Sequence, residues 1–201
     1  AIAAWPSLKR YPAYWRELRS AAQAQGFFER TAAALVLAML ILVLVRGLAP
    51  VTDYDGLTYH LVVPRDYWQV GAIVPYPGES HSNFPLTVDL LYIPGVALGL
   101  ESSARLIHLV FGVLMGLAVY ALAKRILRSD RGAWLALFIL ATTPVLGTVG
   151  GYAHADLGWA LFESLSALCL LRWQEKSERP WLVLGGVFAG LGLGSKFLGL
   201  P

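Results

Sequence analysis

The chain has 201 residues, 57% hydrophobic and 14% charged, with a net charge of +3 and a mean hydropathy of +0.58. Soluble domains carry about a quarter charged residues, so this composition excludes an ordinary soluble domain and points to an all-α, polytopic helical membrane protein. The small positive excess lies in short blocks beside apolar runs, which fits membrane topology and not a nucleic-acid partner. A single cysteine, Cys169, excludes an internal disulfide.

Residues 1–30 hold five basic side chains (Lys9, Arg10, Arg16, Arg19, Arg30) and two acidic ones, interleaved with aromatics such as Trp5, Tyr14 and Trp15. This pattern predicts an amphipathic lead on the cytoplasmic membrane surface. Residues 31–201 follow as the transmembrane part. Thr31 to Ala49 is the first apolar run, and about 20 residues at about 1.5 Å each cross the ~30 Å hydrocarbon layer. Arg46, near its end, is placed to snorkel. Further runs are Ala104–Ala123, Ala133–Gly150, Ala155–Trp173 and Trp181–Leu200. The chain opens on Ala1 and stops at Pro201 straight after an apolar run. It is therefore expected to be a piece of a longer protein, inactive alone.

One stretch decides the topology. Residues 85–100 are apolar but interrupted by Asp89, Pro94 and Gly95. If they do not span, the basic N-terminus, the Lys124-Arg125-Arg128-Arg131 block and the Arg172-Lys176-Arg179 block all share one side. If they span, both blocks fall opposite the N-terminus. The positive-inside rule selects the first arrangement. Five helices are then expected to span, with 85–100 an interfacial or re-entrant element. The loop 51–103 lies outside, carrying one basic residue, Arg65, and six acidic ones.

The outer face holds the candidates for chemistry. Asp53 and Asp55 follow the first run directly, with Tyr59 and His60 close behind. A carboxylate at the edge of low dielectric suits a general base acting on a hydroxyl. The same two residues would equally serve as caps of the next helix. Pro64-Arg65-Asp66-Tyr67-Trp68 predicts a short helix with proline in its first turn. Arg65 suits a phosphate or a neighbouring acid. His81 and Asn83 suit a sugar or phosphate, or simply a turn before a helix. His154 and Asp156 open the fourth span, where the helix dipole alone would favour the acid. Glu163 lies about two turns deeper, as a functional acid or one bonded to another helix. Lys196, near the outer end of the last run, would neutralise a lipid phosphate or snorkel. His60, His81, His154, Asp55 and Asp156 leave a divalent metal possible, although no metal-ligand spacing occurs; no cofactor is required.

Taken in order, several of these elements resemble the N-terminal part of GT-C superfamily glycosyltransferases, in the group of dolichyl-phosphate-mannose protein mannosyltransferases and bacterial relatives (family 39-like). The likeness rests on Asp55-Gly56-Leu57-Thr58-Tyr59 for an Asp-Glu-x-x-Tyr motif and Asn83-Phe84-Pro85-Leu86 for a His-Pro-Pro-Leu element. Ala104-Arg105, Lys124-Arg125, Pro144, Asp156 and the Gly190-to-Lys196 pattern continue it. Gly56 departs, standing where the family has its second acid. The resemblance implies an inverting transfer of a sugar from a polyprenyl-phosphate carrier to an outer-face acceptor, protein, lipid or glycan, in the inner membrane of a bacterium. Asp55 would be the general base, Asp156 would help hold acceptor or donor, and Lys196 with Arg65 would neutralise the phosphate. A transporter or lipid-binding subunit is the alternative. It would place its site near the midplane around Glu163, not in an outer cavity joining Asp55 and Asp156.

Overall fold

The computed structural model describes residues 26–77 and 81–196; most of the amphipathic lead expected over 1–30 lies outside them. Among the described residues every regular element is helical. The first apolar run is helix α1, Phe27–Leu48. The loop after it makes a π-helical turn, Gly56–His60, and then α2, Val62–Val70, with Pro64 in its first turn as expected. Helix α2 stops at Gly71, whose φ of 71° is the left-handed conformation that glycine adopts without strain.

The 85–100 stretch is broken, as its Pro and Asp require. A 3-10 turn, Asp89–Tyr92, leads into the short α3, Ile93–Ala97. Neither is long enough to cross a membrane. Val88, Tyr92 and Val96 are buried, sharing a core with Leu61, Ala104, Ala153 and Ala155. The segment is thus packed into protein, the setting in which irregular backbone is tolerated beside a bilayer. The Thr87 amide donates to the Gly194 carbonyl at 2.9 Å, tying it to the far end of the chain.

Helix α4, Ser102–Leu127, is the longest. Helix α5, Asp130–Thr142, begins at a Ser129 cap whose hydroxyl accepts from the Gly132 amide. The run expected to be continuous over 133–150 is divided: Thr143 is extended, as the residue before a proline tends to be, and α6, Pro144–Val149, starts anew. Helices α7, Asp156–Lys176, and α8, Arg179–Leu193, complete the bundle. Helix α4 packs against α1, α5 and α7, and α7 also against α8.

Among the described residues two helices, α1 and α4, are long and apolar enough to cross a membrane. A soluble core helix would bury its apolar side chains, yet α1 exposes Leu37, Leu42 and Val45 and α4 exposes Val110 and Leu117. Such apolar surface needs a lipid or protein covering. At the end opposite the acidic loop, Lys124 pairs with Asp130 at 2.6 Å and Arg125 with Glu175.

Close helix approach depends on missing side chains. A Cβ at Gly158 of α7 would lie 2.5 Å from Val88 Cγ2, and one at Gly112 of α4 would lie 2.8 Å from Leu157 Cδ1. Val88 is fully buried and β-branched, so it has nowhere to go. Gly158→Ala is therefore expected to destabilise the fold by about 1–3 kcal/mol through overpacking, read as a lowered midpoint of thermal unfolding in detergent micelles.

Candidate active site

A buried guanidinium organises the end of the bundle that carries the loop 51–103. Arg105, on the first turn of α4, donates from Nη1 to the carbonyls of Arg46, at 3.1 Å, and Ala49. These carbonyls lie at the C-terminal end of α1, where the helix carries partial negative charge, and that of Arg46 also accepts from the Ala49 amide at 3.1 Å. The Arg105 Nη2 also lies 3.8 Å from Asp53 Oδ1, and both side chains are nearly inaccessible, at 3% and 6% exposed. Arg46 turns its own Nη1 to the Gly147 carbonyl at 3.1 Å and lies 5.5 Å from the Tyr152 ring centre. It is fixed by protein contacts rather than simply snorkelling.

Asp53 is the junction of the region. Its Oδ2 accepts from the Gly56 amide at 2.8 Å and pairs with His154 Nε2 at 2.9 Å. The capping reading of Asp53 is the one seen at Oδ2, while Oδ1 is buried with Arg105 Nη2 3.8 Å away; Asp53, expected to bind substrate, is not among the residues that line the neighbouring cavity. The Oδ2 contact also accounts for Gly56. A Cβ at that position would lie 2.5 Å from Asp53 Oδ2, so a glycine lets the carboxylate close over the turn.

His154 bridges two acids. Its Nδ1 lies 3.4 Å from Asp156 Oδ2, and its ring stacks on His60 with centroids 4.8 Å apart. Burial opposes protonation of His154, but hydrogen bonding to Asp156 and Asp53 and their charges outweigh it, raising its pKa. Asp156, at the first position of α7, also pairs with Lys196.

A cavity of about 350 Å³ opens beside this network, lined by Asp55, Tyr59, His60, His81, Asp89 and Lys196 among others. Burial first, and then the charge of the nearby Asp55 carboxylate, hold the Tyr59 hydroxyl well above the ordinary phenol range. The Tyr59 ring stacks on His81 at 5.5 Å. His60 and Asp89 form a buried pair, Nδ1 to Oδ1 at 2.5 Å. Ser195 is buried at the cavity beside Lys196.

Other sequence candidates fall elsewhere. Arg65 pairs with Glu101 at 2.5 Å, half exposed, and does not line the cavity. Its acid partner is thus one brought from 36 residues away. Asn83 closes a loop, its side chain holding the Tyr76 amide at 3.0 Å and carbonyl at 2.8 Å. Glu163 is exposed, its carboxyl over Gly192 of α8, and the bond to another helix expected for it is absent among the described residues. Among the described residues no group of three or more His, Cys, Asp or Glu side chains is arranged to hold a metal ion.

One polar residue escaped the sequence reading. His108, fully buried on α4, accepts at Nε2 from the Leu157 amide at 3.0 Å. It satisfies an orphan donor at the start of α7, which has no side-chain cap of its own. Nothing local flags a lone histidine in an apolar run, because its partner lies 49 residues away.

Residues 91–200 match the dolichyl-phosphate-mannose-protein mannosyltransferase family. The chain belongs to this family. Neither a curated protein nor a solved structure matches the chain. The mannosyltransferase match contains His154, Asp156 and Lys196 and begins downstream of Asp55 and His60, so one wall of the cavity lies within it and the other precedes it. Membership makes the chain a glycosyltransferase-family protein.

Two outcomes follow from the junction. Arg105→Ala removes a donor from the carbonyls at the end of α1 and takes the guanidinium away from buried Asp53, leaving it His154 alone. A loss of about 3–5 kcal/mol is expected, measured as thermal unfolding of the purified protein. His154 has a raised pKa in the folded state, so its stabilisation is complete below its ordinary value of about 6.5 and fades as pH climbs through the folded one. Melting temperature should fall over that upward interval, and His154→Gln should flatten the dependence.

Proposed function

We propose that the chain is part of an inverting glycosyltransferase that moves a sugar from a polyprenyl-phosphate carrier to an acceptor on the outer face of a bacterial plasma membrane. The observation that carries this reading is a cavity lined by both Asp55 and Lys196, the latter paired with Asp156 behind it. The acidic side chain comes from the loop after α1 and the cation from beyond α8. Family membership supplies the class of reaction.

In this reading five helices span, the break at Pro144 being a kink within one span, with the N-terminus cytoplasmic and the loop 51–103 outside. The paired basic residues at the opposite end support that orientation. Asp55 takes the proton of the acceptor hydroxyl while its oxygen attacks the anomeric carbon. The bond from that carbon to the phosphate oxygen breaks, and the electron pair leaves with the carrier phosphate. Lys196 faces the charge on that phosphate, released from Asp156 as the anion arrives, and Ser195 lies beside it. Attack from the face opposite the phosphate inverts the anomeric centre. Tyr59 lines the cavity with Asp55 and orients its carboxyl toward the acceptor in this reading. A midplane transport site at Glu163 has no support from its position outside this cavity.

Asp55→Asn in the full-length protein is expected to insert and fold normally while sugar transfer falls by on the order of 10²–10⁴. Transfer from radiolabelled polyprenyl-phosphate mannose to membrane acceptors measures it, and wild-type rates in the variant would remove Asp55 from the mechanism. Lys196→Ala is expected to raise the KM for that donor with a smaller effect on acceptor affinity.

A further inference from the structure

Asp89 has no part in the transfer chemistry above, yet it is the most completely buried carboxyl group in the cavity wall, 1% exposed. Its turn is rigid: the Leu90 amide bonds the Leu86 carbonyl at 2.9 Å, the Leu91 amide bonds Val88 at 3.0 Å, and Val88 and Tyr92 on either side are fully buried. Oδ1 is committed to His60 Nδ1. His60 is in turn held by its stacking on His154, so the carboxyl group cannot swing away. Oδ2 is buried without a hydrogen-bond partner among the described residues. Buried polar atoms are nearly always satisfied, and a rigid orphan acceptor on a cavity wall marks a place where a ligand donor belongs.

The chemistry of that donor is constrained from both sides. An acidic group repels phosphate, so Asp89 cannot bind the anionic end of a ligand; that end belongs with Lys196 on the same cavity. What suits Asp89 is a neutral O–H. The ligand must therefore combine an anion with hydroxyl donors within one small volume. At about 350 Å³ the cavity stands at the low end of the roughly 300–1,000 Å³ of ligand sites, the size for one sugar ring and not an extended glycan.

We propose that Asp89, positioned by His60, is the hydroxyl-reading residue of the donor-sugar subsite, accepting at Oδ2 from a ring hydroxyl of the glycosyl phosphate whose phosphate faces Lys196. This rests on the transfer reading of the same cavity. Asp89 sets which sugar is accepted, whereas Asp55 sets whether transfer occurs.

The test uses full-length protein in lipid nanodiscs with polyprenyl-phosphate mannose and its 2-, 3-, 4- and 6-deoxy analogues. Wild type should use one analogue with a kcat/KM on the order of 10–100-fold below the parent donor, as a buried hydrogen bond to a charged group requires. Asp89→Asn should lose a similar factor on the parent donor and no longer distinguish it from that analogue. Wild type using all four analogues like the parent overturns the proposal without any variant, as does an Asp89→Asn protein that keeps the wild-type pattern. A parallel measurement separates the two readings: thermal stabilisation by mannose 1-phosphate against inorganic phosphate. If no transfer is found but mannose 1-phosphate stabilises wild type more than phosphate, and Asp89→Asn erases the difference, the subsite stands and the transfer reading falls. If Asp55→Asn abolishes transfer while Asp89→Asn leaves donor discrimination intact, the subsite alone falls. No transfer and no preference for mannose 1-phosphate overturns both.

Discussion

A guanidinium with almost no access to water has to be surrounded by acceptors, and Arg105 finds them in three places at once. It donates to the carbonyls of Arg46 and Ala49 at the end of α1, and it stands against Asp53 just beyond them. Asp53, held in this way, caps the Gly56 turn and fastens His154. The helix that begins the bundle, the helix at its centre and the loop that introduces α7 are therefore joined by one charged contact and its dependants. Removing charge from such a contact leaves the remaining member buried and alone, which is why these residues hold together as a set.

The cavity is a by-product of that junction. With Asp53 turned inward and the π-helical turn capped, Asp55 and Tyr59 are carried to the outer side, while His60 is turned back toward Asp89. His154 is stacked on His60 and bridges to Asp156, which holds Lys196 across the opening. Acids and bases alternate along Asp53, His154, Asp156 and Lys196, so each of these groups has a partner of the opposite kind. An anionic ligand reaching Lys196 exchanges one such neighbour for another instead of entering an uncompensated field.

Much of this arrangement could be read in the sequence wherever the signal was local or additive. Composition and apolar runs located the helices, and charge bias kept residues 85–100 from being treated as a span; the short helices found there agree. The Pro64 turn was legible because proline acts on its own neighbourhood. The division at Thr143 was equally available in Pro144, but the length of the apolar run masked it. Long-range pairing was not legible. Asp53 and Asp55 are chemically identical two positions apart, and only the Arg105 and His154 contacts, 52 and 101 residues along the chain, make one a structural junction and leave the other facing the cavity. His108 and Asp89 were obscure for the same reason. Gly56 looked like a lost acid, whereas in the folded chain it is the space that Asp53 occupies.

The bond from the Thr87 amide to the Gly194 carbonyl bears on when the cavity can exist during synthesis. Its walls are drawn from residues 55–60, 81–89, 155 and 195–196, so the earliest and latest described parts of the chain meet there. A ribosome that has delivered everything up to α7 has made a bundle with one wall missing and with Asp156 lacking its cation. The acidic wall of the first loop then waits, open, while α4 to α8 are made. Its closure by Ser195 and Lys196 has to wait until α8 has been made, so binding competence arrives in one step instead of growing with the length of the nascent chain.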